Sequence, residues 1–123
     1  MSIPRPTELE YERTVIDAAK AAGWLVHAQR AAVSKGKWST PIKGHAGFPD
    51  LVMVHEATGR VLIVELKRKP NRASAAQLQW LRAFELAFQG YGLRARFRVL
   101  LAWVPDDLGE LLRLLTDRSA WEI

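Results

Sequence analysis

Gly47-Phe48-Pro49-Asp50-Leu51-Val52-Met53-Val54 and Val61-Leu62-Ile63-Val64-Glu65-Leu66-Lys67 are two β-branched, apolar runs joined by a short polar segment that contains Thr58-Gly59. This pattern predicts a hairpin of antiparallel neighbours. Side chains alternate along a strand, so Glu65 and Lys67 share a face with Val61 and Ile63. An unpartnered buried carboxylate costs several kcal/mol at least, which leaves Glu65 three options: an exposed strand end, a cation partner or a bound metal. Asp50 opens the preceding strand and, in a hairpin closed around residues 55–60, falls roughly opposite Glu65. Like charges across a strand pair are destabilising, and a lysine or a divalent cation between them relieves the repulsion. Lys67 supplies the first remedy and a metal the second. Hard cations such as magnesium take carboxylates, waters and phosphate oxygens.

Working outward, residues 7–22 carry a helical period in Leu9, Val15, Ile16, Ala19 and Ala22, with Thr7 as N-cap and Gly23 at the stop. Trp24 to Ala28 is predicted as a first strand, followed by a surface loop over roughly Arg30 to Pro49 without structure of its own. Beyond the hairpin, Ser74 and Gln77 have the spacing of a capping box that opens a helix. Leu78, Leu81, Phe84, Leu86 and Phe88 supply its apolar positions up to Gly90. Arg96 to Trp103 reads as a strand, and Pro105-Asp106-Asp107 announces a last helix through about Leu115. The order α-β-β-β-α-β-α implies an α/β fold, with a mixed sheet covered by helices.

The 123 residues suit one compact domain with a single core, 1–123. No run approaches the roughly 20 apolar residues of a membrane span, and Met1 to Pro6 lacks a signal-peptide stretch, so a cytoplasmic location is expected. The absence of cysteine excludes disulfides, thiolate metal sites and thiol nucleophiles together. Any metal is then held by oxygen or imidazole, which favours magnesium or manganese. Eighteen lysines and arginines against 13 acids give a net charge of +5, compatible with a phosphate-backbone partner. The basic residues cluster as Arg30, Lys35, Lys37 and Lys43, as Lys67, Arg68, Lys69 and Arg72, and as Arg94, Arg96 and Arg98. Taken singly, each cluster reads first as a solvated face. His27, His45 and His55 lack metal-ligand spacing, although His45 precedes the Gly47-to-Asp50 turn and would be placed to approach a substrate.

Gly47-Phe48-Pro49-Asp50-Leu51 followed by Glu65-Leu66-Lys67 resembles the PD...(D/E)XK signature of a nuclease superfamily. Thr7-Glu8, Tyr11-Glu12, Val15-Ile16, Ala19 and Gly23-Trp24 resemble the opening helix of its VRR-NUC branch. Ser74-Ala75-Ala76-Gln77 with Trp80-Leu81, and Trp103-Val104-Pro105 with Asp107, resemble the later segments of that branch. The resemblance spans nearly the whole chain and implies a restriction-endonuclease-like αβββαβ core with a C-terminal helix. It also implies magnesium- or manganese-dependent hydrolysis of DNA phosphodiesters. On that resemblance Asp50, Glu65 and the Leu66 carbonyl are metal ligands, and Lys67 orients or helps deprotonate the attacking water and stabilises charge on the phosphate. A first-helix glutamate joins such sites. Glu8 and Glu12 lie one turn apart on one face, and Glu8 is preferred.

Gln77 has two readings, a site residue by resemblance and a helix cap by spacing. Trp80 at its spacing is a core residue before it is a stacking platform. Lys35, Lys37, Lys43, Lys69 and Arg72 are candidate DNA contacts, with Trp38 available to stack on an unpaired base. Relatives without added domains are often phage-encoded and dimeric, which implies a homodimer acting on both strands, suited to branched or Holliday-junction DNA in a bacterial or phage-infected cell. Two other functions stand beside this: a DNA-binding or assembly module without catalysis, and a restriction-type nuclease with short sequence specificity. The intact Asp50, Glu65 and Lys67 speak against the first.

Overall fold

A computed structural model describes residues 7–29, 32–34, 37–39, 43–89 and 95–122. Helix α1, Glu8–Ala21, is started by a reciprocal capping box: Thr7 Oγ1 accepts from the Glu10 amide at 3.2 Å, and Glu10 Oε2 accepts from the Thr7 amide at 2.9 Å. Strand β1, Leu25–Ala28, follows the turn at Gly23. Strands β4, Leu51–His55, and β5, Arg60–Lys67, form the expected hairpin. Helix α2, Ala75–Gln89, crosses to β6, Phe97–Trp103, and helix α3, Leu108–Thr116, runs into a 3-10 turn, Arg118–Trp121.

The sheet order is β1-β4-β5-β6, antiparallel except for the β5–β6 pair, whose parallel register needs the α2 crossover. This is the mixed sheet with helices that the sequence implies. One expectation is corrected: the segment after residue 30 holds a small hairpin, β2, Ala32–Ser34, paired antiparallel with β3, Lys37–Ser39. Three-residue strands are too short for hydrophobic alternation to reveal them, so they read as loop.

Strand alternation divides the sheet into two faces. Leu51 and Met53 of β4, Leu62, Val64 and Leu66 of β5, and Ala102 of β6 join Val15 and Ala19 of α1 and Leu111, Leu114 and Leu115 of α3 in one buried cluster. Each of the valine, leucine and methionine side chains contributes roughly 1.5–3 kcal/mol by leaving water. Trp24 and Trp121 stack at 6.0 Å in the same cluster, and their indole nitrogens donate to the Leu115 and Leu114 carbonyls. Trp24 therefore belongs to the core and not to β1. Leu9, Leu78 and Leu86 depart from the periodicity reading, being 65%, 41% and 62% exposed.

On the opposite face α2 packs against β6, and Ile63 and Leu81 are buried outside the main cluster. No helix among the described residues is long and apolar enough to cross a membrane.

Candidate active site

Leu51 pairs with Val64, which sets Asp50 opposite Glu65 one step further along the hairpin. The two acids are laced through the backbone. The Asp50 amide donates to Glu65 Oε1 at 3.2 Å, and the Leu66 amide donates to Asp50 Oδ2 at 2.9 Å. Glu65 is 1% exposed and is the buried charged residue among those described. Its other oxygen, Oε2, accepts from Gln77 Nε2 at 3.0 Å and lies 3.6 Å from Lys67 Nζ. Every option that the sequence left to Glu65 except exposure is thus in use or available.

Gln77 caps α2 as its spacing implies and also reaches Glu65, because a side-chain amide has separate acceptor and donor ends. Its Oε1 accepts from the Ser74 amide at 2.8 Å and its own amide donates to Ser74 Oγ at 3.1 Å, completing the capping box, while Nε2 faces Glu65. The start of α2 and the end of β5 are fastened by one side chain.

From α1, Glu10 is engaged by its cap, and Glu8 and Glu12 turn to the site. Glu8 Oε2 accepts from the Arg68 amide at 3.2 Å, just past Lys67. Burial raises Glu8 above the usual carboxylate range, with Lys67 opposing and Asp50 adding to the rise. Burial, followed by the charges of Asp50 and Glu8, pushes Glu12 up to about 7. Glu65 rises to about 8, chiefly through burial and next through the Asp50 charge, despite Lys67 beside it. Lys67 thus faces Glu65 and Glu8, while Glu12 feels Asp50 and Glu8.

Among the described residues no three carboxylate or imidazole side chains converge into a metal-binding group. The donor chemistry nevertheless fits a hard divalent cation: neighbouring carboxylate oxygens, raised in pKa by burial first and by one another second, with one lysine beside Glu65.

A family model of the VRR-NUC domain matches residues 18–100. The chain belongs to the VRR-NUC family. That family lies within the PD-(D/E)XK nuclease-like superfamily, which makes this a nuclease domain with DNA as its substrate class. Neither a curated protein nor a solved structure matches. The VRR-NUC match takes in Asp50, Glu65, Leu66, Lys67 and Gln77, whereas Glu8 and Glu12 lie upstream of it.

The remaining candidates are scattered. Lys43 and Arg72 are exposed, and exposed Lys69 stands 3.9 Å from exposed Asp106, a pair of little energetic weight. Lys35, Arg30, Arg94 and the side chains of Lys37 and Trp38 lie outside the described residues. His55 is a structural histidine, with Nδ1 on Thr58 Oγ1 and Nε2 on the Ala22 carbonyl.

Sequence reasoning missed Gly47. Its φ is +93°, and a Cβ there would lie 2.6 Å from the Ala76 carbonyl carbon and 2.7 Å from the Gln77 nitrogen. The turn leading to Asp50 therefore presses backbone to backbone on the helix that carries Gln77. A glycine three residues before the aspartate was the available signal.

Proposed function

We propose that this VRR-NUC domain is a metal-dependent endodeoxyribonuclease that selects branched or otherwise interrupted DNA by structure. The observation that carries this reading is the Asp50–Glu65 pair, cross-bonded through the β4–β5 backbone, with Lys67 Nζ 3.6 Å from Glu65. Asp50, Glu65 and the Leu66 carbonyl would hold magnesium or manganese, and the bound ion supplies Lewis-acid polarisation of the phosphate and a more acidic water. Gln77 holds Glu65 Oε2 in place. Glu8 secures the backbone at Arg68, so that Lys67 leaves the strand in a fixed direction, and Glu12 adds negative charge beside Asp50.

In hydrolysis a water oxygen bonds to phosphorus while one phosphate ester bond breaks, leaving a phosphomonoester and a hydroxyl. Lys67 orients that water and stabilises the charge that grows on the phosphate oxygens. The whole chain, 1–123, acts as one domain in this reading, because Glu8 at one end of it borders the site and Trp121 at the other joins the core. Lys43, Lys69 and Arg72 serve as phosphate contacts, and a homodimer places two centres on opposite strands.

The test is cleavage of labelled duplex, single-stranded, flap and four-way-junction DNA with magnesium, manganese or EDTA, by wild type and Lys67→Ala. Metal-dependent cutting that Lys67→Ala abolishes, strongest on branched DNA, is the expected result. Binding without cutting under either metal sinks the catalytic reading in favour of a DNA-binding module. Cuts mapping to fixed sequences favour a restriction-type enzyme.

A further inference from the structure

The chemistry above leaves unused a slot of about 190 Å³ lined by His45, Gln79, Trp80 and Ala83. It opens on α2 beside the turn that leads to Asp50. Trp80 is fixed there: its indole nitrogen donates to the Ala46 carbonyl at 3.1 Å, Phe48 meets it edge-on at 5.0 Å, and Phe84 stacks at 5.7 Å. Trp80 is half-buried, and His45, Gln79 and Ala83 are exposed. A preset aromatic wall with an imidazole, a small residue and an amide around it is suited to a flat, neutral, heteroaromatic ring. The amide offers such a ring both a donor and an acceptor. An apolar cavity of roughly 150 Å³ is enough to accept benzene, so this slot admits one somewhat larger ring.

Position supplies the second argument. Trp80 follows Gln77 by three residues on α2, and Gln77 is bonded to Glu65. Residues three apart are neighbours on a helix surface, with Cβ atoms roughly 5–6 Å apart. Trp80 thus stands between Gln77, which faces the acidic centre, and Gln79 and Ala83, which line the slot further round the helix. A nucleotide with its phosphate at the acidic centre would enter the slot by turning its base past Trp80, which an unpaired base can do and a base stacked in a duplex cannot.

We propose that this slot binds one unpaired nucleobase next to the scissile phosphate, and that this capture is how the domain prefers interrupted DNA to continuous duplex. The inference rests on the nuclease reading above and deepens it by naming the feature of the substrate that is read. Stacking a base on an aromatic side chain strengthens binding by roughly fivefold to a hundredfold. Taking a base out of an intact duplex costs a comparable amount, whereas a base at a branch or frayed end is already free. The slot thus rewards unpaired DNA and gains little from paired DNA.

The test uses the full chain in EDTA, where binding is read without cleavage. DNA carrying 2-aminopurine at successive unpaired positions beside a branch is compared with the same base paired and with an abasic site. The expected result is quenching confined to one position, about tenfold tighter binding there than to the paired control, and loss of that advantage at the abasic site. His45→Ala, and Ala83→Leu to fill the slot, each bring the unpaired-to-paired ratio towards one, every variant serving as its own reference. Equal affinity for base and abasic DNA in the wild-type protein overturns the proposal, as does an unchanged ratio in both folded variants. Cutting is scored separately with magnesium. Absence of cutting on every substrate defeats the nuclease reading, while the metal-free quenching still decides the slot.

Discussion

The two faces of β5 are built from alternate residues of the same eight-residue strand and behave in opposite ways. Leu62, Val64 and Leu66 enter a core closed by α1 and α3. Ile63, Glu65 and Lys67 turn to the side where α2 lies, and there the strand buries a carboxylate opposite a second one. The first face lowers the free energy of folding. The second has repulsion and desolvation built into it, and cations or protons relieve them. Stability and chemistry are thus separated by a side-chain period of two, without a second layer of sequence.

The largest expected effect lies on the acidic face. Lys67→Ala lowers the DNA cleavage rate by roughly 10²- to 10⁴-fold, the range for a positioned proton-transfer or charge-stabilising group, while the circular dichroism spectrum is retained. A variant that still cuts at a tenth of the wild-type rate would break the assignment.

Leu62→Ala on the other face reverses the pattern. It destabilises by about 2–5 kcal/mol in urea unfolding, with cleavage at low temperature retained by the folded fraction. Loss of cutting without loss of stability would show that the faces are not separable.

Gly47→Ala tests the seam between them. The added Cβ meets the Ala76–Gln77 backbone at a φ that disfavours side chains, so about 1–3 kcal/mol of stability is lost. Cleavage falls further than that loss explains, because Gln77 is moved from Glu65. Equal losses would mean that Gly47 only relieves crowding.

The smallest effect is a pH dependence in EDTA. Glu65 at about 8 and Glu12 at about 7 both stand above the ordinary 4.5. The folded protein therefore holds protons that the unfolded chain has released. The stability from these two groups is fully present below about pH 4.5 and is lost as the pH rises through 7 and 8. Glu12→Gln removes one of the neighbouring charges and breaks no side-chain hydrogen bond among the described residues. It raises the metal-free melting temperature at pH 8 by a few degrees, the change that roughly 1 kcal/mol makes in a domain of this size. A melting temperature that climbs with pH in EDTA would contradict the crowding of carboxylates.

Much of this was legible in the residues. β-Branched runs around Thr58-Gly59 specify the hairpin, and Asp50, Glu65 and Lys67 stand out because packing does not explain charges at the ends of apolar strands. Thr7 and Ser74 mark their helix starts through local hydrogen bonds, which depend on spacing alone. Less was legible where distant contacts decide. Leu9 and Leu78 have core-like spacing and lie in solvent, since periodicity records polarity and not which neighbour covers a face.

The sequence by itself determined the pairing of β4 with β5, the identity of the acids and lysine, and the family, because these follow from side-chain alternation and short-range motifs. Only the tertiary structure decided that Glu8 caps the backbone beyond Lys67, that Gln77 serves helix and site at once, and that Gly47 lies against α2. Those contacts join residues distant in sequence, or pack one backbone against another, and close approach of that kind is settled by how whole elements pack.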